Sequence, residues 1–212
     1  MTDLKRLQDN LDSKYLRLER DGPIAWCIID RPEAKNALTP AMYFGIQKAI
    51  KLVTHDPSLH ALIITGTGDS FAPGGDMGKE TDPNELKIGG LLGSGVLPFK
   101  AILNASIPVI SAVNGHCQGG GFVIALLSDV AIVSEKAKLK VPELLRGFAD
   151  SYYASILTAH VGVARAREWT FIRIDAPDPA RRQSPAGSGR AIIARASGID
   201  RIVPRKVSRD RG

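Results

Sequence analysis

The chain has 212 residues, 44% of them hydrophobic, and a formal net charge of +6, enough for one domain with a sizeable core. No apolar run is long enough to span a membrane, and residues 1–20 are charged without the apolar centre of a signal peptide, so neither a membrane-spanning nor an exported chain is expected. Cys27 and Cys117, the two cysteines, sit in apolar surroundings, which gives no disulfide framework and no zinc spacing and points to a reduced, cytoplasmic protein.

Residues 1–14 read as a polar lead-in, at most a short helix. Residues 15–19 and 24–30 alternate as strands around the turn Asp21-Gly22-Pro23. A loop follows, R-P-E-A-K-N-A-L over residues 31–38. Thr39 then caps a helix with Pro40 at its first position, running to about Thr54 with Met42, Ile46, Ala49, Ile50 and Val53 on one face. Residues 59–65 form a buried strand. Residues 66–78 read as a loop built for close backbone approach, since five of the thirteen are glycine. Helical pieces are expected over 85–92 and 97–103, with glycines between them.

The stretch from Ile107 to Leu127 reads I-P-V-I-S-A-V-N-G-H-C-Q-G-G-G-F-V-I-A-L-L. It predicts a buried strand over 108–113, a turn at Asn114-Gly115, and a helix after Gly119, Gly120 and Gly121. The first N–H groups of a helix lack internal partners and carry its positive end, so this turn is able to hold an oxyanion. Tight helix-to-strand packing is the alternative use of the glycines. Residues 129–133 form a further strand, which 138–141 extend or flank; Pro142-Glu143 opens a helical turn that Gly147 breaks, and helices follow over 151–160 and 163–171. Strand and helix alternate, so the core is α/β with parallel crossings. No dinucleotide or phosphate-binding glycine motif and no G-x-S-x-G elbow is present, which removes the usual nucleotide and hydrolase readings.

From Ile172 the texture becomes Arg-, Pro-, Ser- and Gly-rich. Residues 172–212 hold ten Lys/Arg against four Asp, so they carry the whole net charge and residues 1–171 are neutral. We therefore divide the chain into a core over 1–171 and an atypical basic tail over 172–212. The tail lacks interleaved aromatics, which argues against nucleic acid as a partner.

Two glycine-rich stretches, residues 71–77 and 114–121, each follow an apolar strand about forty residues apart. With R-P-E-A-K-N-A-L and the later P-E-L-L-R-G, they resemble the crotonase superfamily, the enoyl-CoA hydratases and isomerases, over about residues 13–171. The resemblance implies a spiral of repeated β-β-α turns with a second, roughly perpendicular sheet. It implies acyl-CoA thioester substrates, no separate cofactor because coenzyme A is part of the substrate, no metal, and a homotrimer or hexamer. The backbone N–H groups of Gly75 and Gly120 match the family's oxyanion donors. Lys35, Ala37, Pro73, Gly74, Asp76, Met77, Gly119 and Pro142 match positions that line its CoA site. Asn36 has a local Asx turn as its alternative role, and Asp76 a helix cap.

The family's hydratases use two glutamates. Glu143 matches the second, whereas Val123 stands at the position of the first, three residues after Gly120 and twenty before Glu143. Valine moves no proton. A single carboxylate suffices to shift a double bond from the 3,4 to the 2,3 position, so isomerisation through Glu143 is favoured. Hydration by Glu143 with Asp150 is one alternative, Asp150 otherwise capping the helix after it; non-catalytic acyl-CoA binding is another. Tyr152 and Tyr153 are candidate hydroxyl donors or packing residues, and His116 is read as structural. The abrupt change after Phe171 is expected to mark a shift of reading frame, with the family's closing C-terminal helices altered or truncated.

Overall fold

The computed structural model describes residues 4–8, 11–76, 97–147, 153–171 and the backbone strand 192–196. The predicted hairpin is present: β2 (Leu16–Asp21) and β3 (Ile24–Ile29) pair antiparallel from Leu16 opposite Ile29 to Asp21 opposite Ile24. The lead-in differs from expectation. Lys5–Gln8 is a strand, β1, that pairs antiparallel with β2. Its helical tendency yields to the free edge of β2, whose unpaired N–H and C=O groups are satisfied by a basic cover strand.

Helix α1 (Pro40–His55) starts where predicted, with Thr39 Oγ1 accepting the Met42 N–H at 3.3 Å. Its inner stripe, Met42, Tyr43, Ile46, Ala49, Ile50 and Val53, is buried. Burying each large apolar side chain there stabilises the fold by roughly 1.5–3 kcal/mol. The helix returns the chain to β4 (Ala61–Gly66), parallel to β3.

From here each unit gives one long strand to one sheet and one short strand to another. After β4 comes β5 (Ser70–Ala72), inside the stretch expected to be loop. After α2 (Phe99–Leu103) comes β6 (Val109–Val113), then β7 (His116–Gln118), which lies between the predicted turn and the predicted helix, α3 (Gly120–Leu127). After β8 (Val130–Ser134) comes β9 (Leu139–Lys140). The chain then passes through a 3-10 turn (Leu144–Arg146), a π-helical turn (Tyr153–Leu157), α4 (Thr158–Val161) and α5 (Val163–Phe171). Residues 192–196 form β10, parallel to β8.

The large sheet has the order β1-β2-β3-β4-β6-β8-β10 and the small one β5-β7-β9, parallel throughout. Residues 138–141 thus neither extend nor flank β8. Leu139 and Lys140 pair with Cys117 and Gln118, because the backbone donors and acceptors left open by β7 lie in the small sheet. One apolar core joins α1, α3 and the faces of both sheets, with Phe71, Phe122, Ile46, Ile64 and Val113 fully or almost fully buried. Both cysteines are free and buried, and burial pushes the Cys27 thiol up to about 12.

Two buried asparagines tie the turns together. Asn36, at φ 65°, accepts the Arg31 N–H at 2.9 Å through Oδ1, and its Nδ2 donates to the carbonyls of Thr67 at 3.0 Å and Ser70 at 2.6 Å. It is a clamp between loops more than a local Asx turn. Asn114 accepts the Gly66 N–H at 3.2 Å and donates to Gly68 O at 2.9 Å. Asn36→Ala strands two buried carbonyls and one N–H, and should cost about 3 kcal/mol. Urea unfolding, with midpoint and slope compared to the parent chain, measures that loss.

Candidate active site

The three short parallel strands end side by side. Beyond β5 lies Pro73-Gly74, beyond β7 lies Gly119-Gly120, and beyond β9 lies Pro142-Glu143. Motifs up to seventy residues apart therefore meet at the carboxyl edge of one small sheet, the usual place for a ligand in parallel α/β structure.

Glycine is required where they touch. Gly74 has φ +100° and Gly119 φ +55°, both in the region that favours glycine. A Cβ on Gly119 would stand 3.2 Å from Gly74 Cα and 3.3 Å from Glu143 Oε1. A Cβ on Gly74 would stand 3.4 Å from Gly119 Cα and 3.6 Å from the Gly120 nitrogen. The half-buried Glu143 side chain thus reaches the junction of the two glycine stretches. Gly121 packs so tightly that a methyl group there would overlap the Ala72 carbonyl.

The amides follow from the backbone path. Leu38 pairs with Gly75 in an isolated parallel bridge: Leu38 N–H donates to Gly74 O at 2.9 Å, and Asp76 N–H to Leu38 O at 2.8 Å. Neither bond uses the Gly75 N–H. Gly120 is the first residue of α3, so its N–H has no carbonyl one turn earlier. Gly119 is braced from behind, since Tyr153 Oη donates to its carbonyl at 2.7 Å in a buried contact. Tyr153 is therefore a positioning residue as well as a packing one, its ring 5.7 Å from that of Phe122.

The residue 31–38 loop is clamped over the first glycine stretch. Arg31 Nη1 lies 2.6 Å from Asp76 Oδ2 and donates to Ala37 O at 3.0 Å. Partial burial works against the Arg31 charge, but the hydrogen bond and charge of Asp76 outweigh it and hold the guanidinium above its ordinary pKa. Asp76 thus takes part in an ion pair, and the helix it was alternatively read to cap lies outside the described residues. Ser70 Oγ donates to Lys35 O at 2.7 Å, leaving the Lys35 side chain exposed, with Ala37 half-buried beside it. Val123 is buried on α3, and His116 is exposed on β7, its N–H donating to Asp69 O at 3.1 Å. Met77, Asp150 and Tyr152 lie outside the described residues.

Sequence reasoning passed over Tyr43. It is 4% exposed on the inner face of α1, and a methyl group on Gly120 would overlap its hydroxyl. Burial pushes the Tyr43 phenol pKa up, and the nearby Glu143 carboxylate adds to that shift. The available signal was its register, three residues before Ile46 on the apolar stripe, which reads equally as core. Glu143 also lines a cavity of about 460 Å³, together with Val141, Leu144, Tyr153, Val163 and Arg167 among others. A groove of about 610 Å³ between the β1–β2 edge and the end of α1 contains none of the predicted site residues. Among the described residues, no cluster of His, Cys, Asp or Glu is placed to hold a metal ion, and no helix is long and apolar enough to cross a membrane.

With this geometry in place, the chain was compared with known proteins. Residues 19–175 match the family model described as enoyl-CoA hydratase/isomerase. The chain belongs to the enoyl-CoA hydratase/isomerase family. It is 38% identical over 127 residues to the mevalonyl-coenzyme A hydratase sidH of Aspergillus fumigatus, covering 57% of this chain and 45% of that protein. It is 37% identical over 138 residues to a crotonyl-CoA hydratase of Syntrophomonas wolfei, covering 64% and 52%. The chain thus spans about half the length of these relatives. An enoyl-CoA hydratase/carnithine racemase structure from Magnetospirillum magneticum superposes with a TM-score of 0.69 at 27% identity, over 83% of this chain and 66% of that one. Pseudomonas aeruginosa DspI superposes with a TM-score of 0.68 at 26% identity, over 78% and 64%. The two-sheet architecture is the crotonase fold that the motifs implied.

Gly121→Ala keeps the polarity and the N–H but drives a methyl group into β5. A loss of about 1–3 kcal/mol is expected from such overpacking, read as a lower thermal midpoint.

Proposed function

We propose that this chain binds acyl-CoA thioesters and moves a double bond along the acyl chain through an enolate. The observation that carries the reading is the Glu143 carboxylate reaching the junction of Gly74 and Gly119, whose next residues in the chain are Gly75 and Gly120. A thioester oxygen accepting both N–H groups gains negative charge when the C2 proton leaves. Preorganised amides stabilise that charge, each typically worth about a hundred- to thousandfold in rate. Glu143 takes the proton from C2 and returns it at C4, which turns a 3-enoyl thioester into a 2-enoyl one.

Other features support this assignment. The exposed Lys35 ammonium suits the phosphates of CoA, and the resemblance assigns Ala37, Pro73, Gly74, Asp76, Met77, Gly119 and Pro142 to the same site. The cavity that Glu143 lines is mainly apolar and suits an acyl tail. Coenzyme A enters as part of the substrate, and no separate cofactor is needed. Leu144, Leu145, Val163 and Phe171 are exposed near that cavity, an apolar surface that suits association with further copies.

A second reading is hydration, which the relatives' names favour: mevalonyl-coenzyme A hydratase, crotonyl-CoA hydratase and carnitinyl-CoA dehydratase. It calls for a second proton carrier. Val123 is not one, so the hydration reading assigns that task to Asp150.

The chain should convert 3-enoyl-CoA to 2-enoyl-CoA, with Glu143→Gln lowering kcat by about 10²–10⁴-fold. Chromatography of the products after incubation with 2-enoyl- and 3-enoyl-CoA decides between the readings. Formation of 3-hydroxyacyl-CoA, lost in Asp150→Asn, would replace isomerisation by hydration. Acyl-CoA binding with no turnover would leave only a binding protein.

A further inference from the structure

Tyr43 belongs to none of the motifs that point to this site. It comes from α1 and is buried, with 4% of its surface exposed. Among the described residues its hydroxyl makes no hydrogen bond, and the oxygen is not one of their fully enclosed unpartnered polar atoms, so it keeps a little access to open space. It ends instead against Gly120, where a methyl group would overlap it, and within electrostatic reach of Glu143. An unpartnered donor thus faces the place where an oxyanion would meet the first amide of α3.

Helix geometry explains why the hydroxyl fits there. A helical side chain leans over the turn before it, so position 123 covers the surface near Gly120. Val123 is short, apolar and buried, and brings no polar atom to that turn. Tyr43 reaches the same turn from the neighbouring helix and supplies one.

We propose that Tyr43 is a further catalytic residue whose hydroxyl donates a hydrogen bond to the thioester oxygen held by the Gly75 and Gly120 amides. This rests on the acyl-CoA reading above. The phenol donates without giving up its proton: a tyrosinate beside the Glu143 carboxylate would place two negative charges in one enclosed site. No bond breaks at Tyr43. The proton from C2 travels on Glu143 alone, while the enolate oxygen gains a third donor.

The test is Tyr43→Phe, which removes only the unpartnered oxygen. With 3-enoyl-CoA, kcat should fall about tenfold to a hundredfold, somewhat less than for loss of a principal oxyanion donor, with KM changed by no more than about twofold. A conjugated 2,4-dienoyl-CoA gives a second readout, because polarising its carbonyl moves its absorption to longer wavelength. The variant should show a smaller shift than the parent chain, with its thermal midpoint unchanged or raised. Full kcat together with a full spectral shift overturns the proposal. So does a lowered midpoint with the spectral shift intact, since the hydroxyl would then serve the fold. A parent chain that binds neither thioester overturns this proposal together with the acyl-CoA reading, whereas binding and turnover that Tyr43→Phe leaves untouched removes the role of Tyr43 alone.

Discussion

The close approach of Gly74 and Gly119 is the contact on which the site depends. A Cβ on either residue would stand 3.2–3.4 Å from the other's Cα, and both have positive φ. The backbone reaches this arrangement because β5, β7 and β9 lie parallel and end together. Bulk at the junction would separate the strand ends. Gly75, Gly120 and Glu143 would then no longer converge, although each kept its chemistry. The groups there are backbone amides, so their direction is set by strand register and helix start instead of rotamers.

Buried polar clamps hold this arrangement in place. Asn36 and Asn114 bind carbonyls and amides of turns that a purely apolar core would leave unsatisfied. The Arg31–Asp76 pair and the Leu38–Gly75 bridge lay the first loop along the first glycine stretch, while Tyr153 holds the carbonyl of Gly119. The same hydrogen bonds that fold the loops therefore fix the backbone path through Gly75 and Gly120. The asparagines are thus structural groups, with their polar atoms spent on neighbouring turns.

Much of this was legible because it depends on local chemistry. Thr39 and Pro40 announced α1, the apolar runs announced β3, β4, β6 and β8, and the glycines announced close contact. Glu143 followed from spacing within a recognisable set of motifs. The misses share a cause. The β1, β5, β7 and β9 strands have two to four residues each, too few for a periodic signal, and exist because neighbouring strands present open hydrogen-bonding edges. Tyr43 was hidden for a different reason: on an amphipathic helix, a buried tyrosine whose hydroxyl faces a ligand has the same register as one that only packs.

The sequence by itself determined the family, the glycine turns, the single matched glutamate and the valine at position 123. These are choices of residue type, and each carries its consequence wherever the chain goes: glycine lacks a Cβ, glutamate carries a proton and valine does not. Only the tertiary structure decided which of them meet. The small sheet brings Gly74, Gly119 and Glu143 together across up to seventy residues of chain, and α1 adds a tyrosine hydroxyl that no motif contains. Such meetings arise from pairing between distant backbone segments, whose partners a local pattern of side chains does not name.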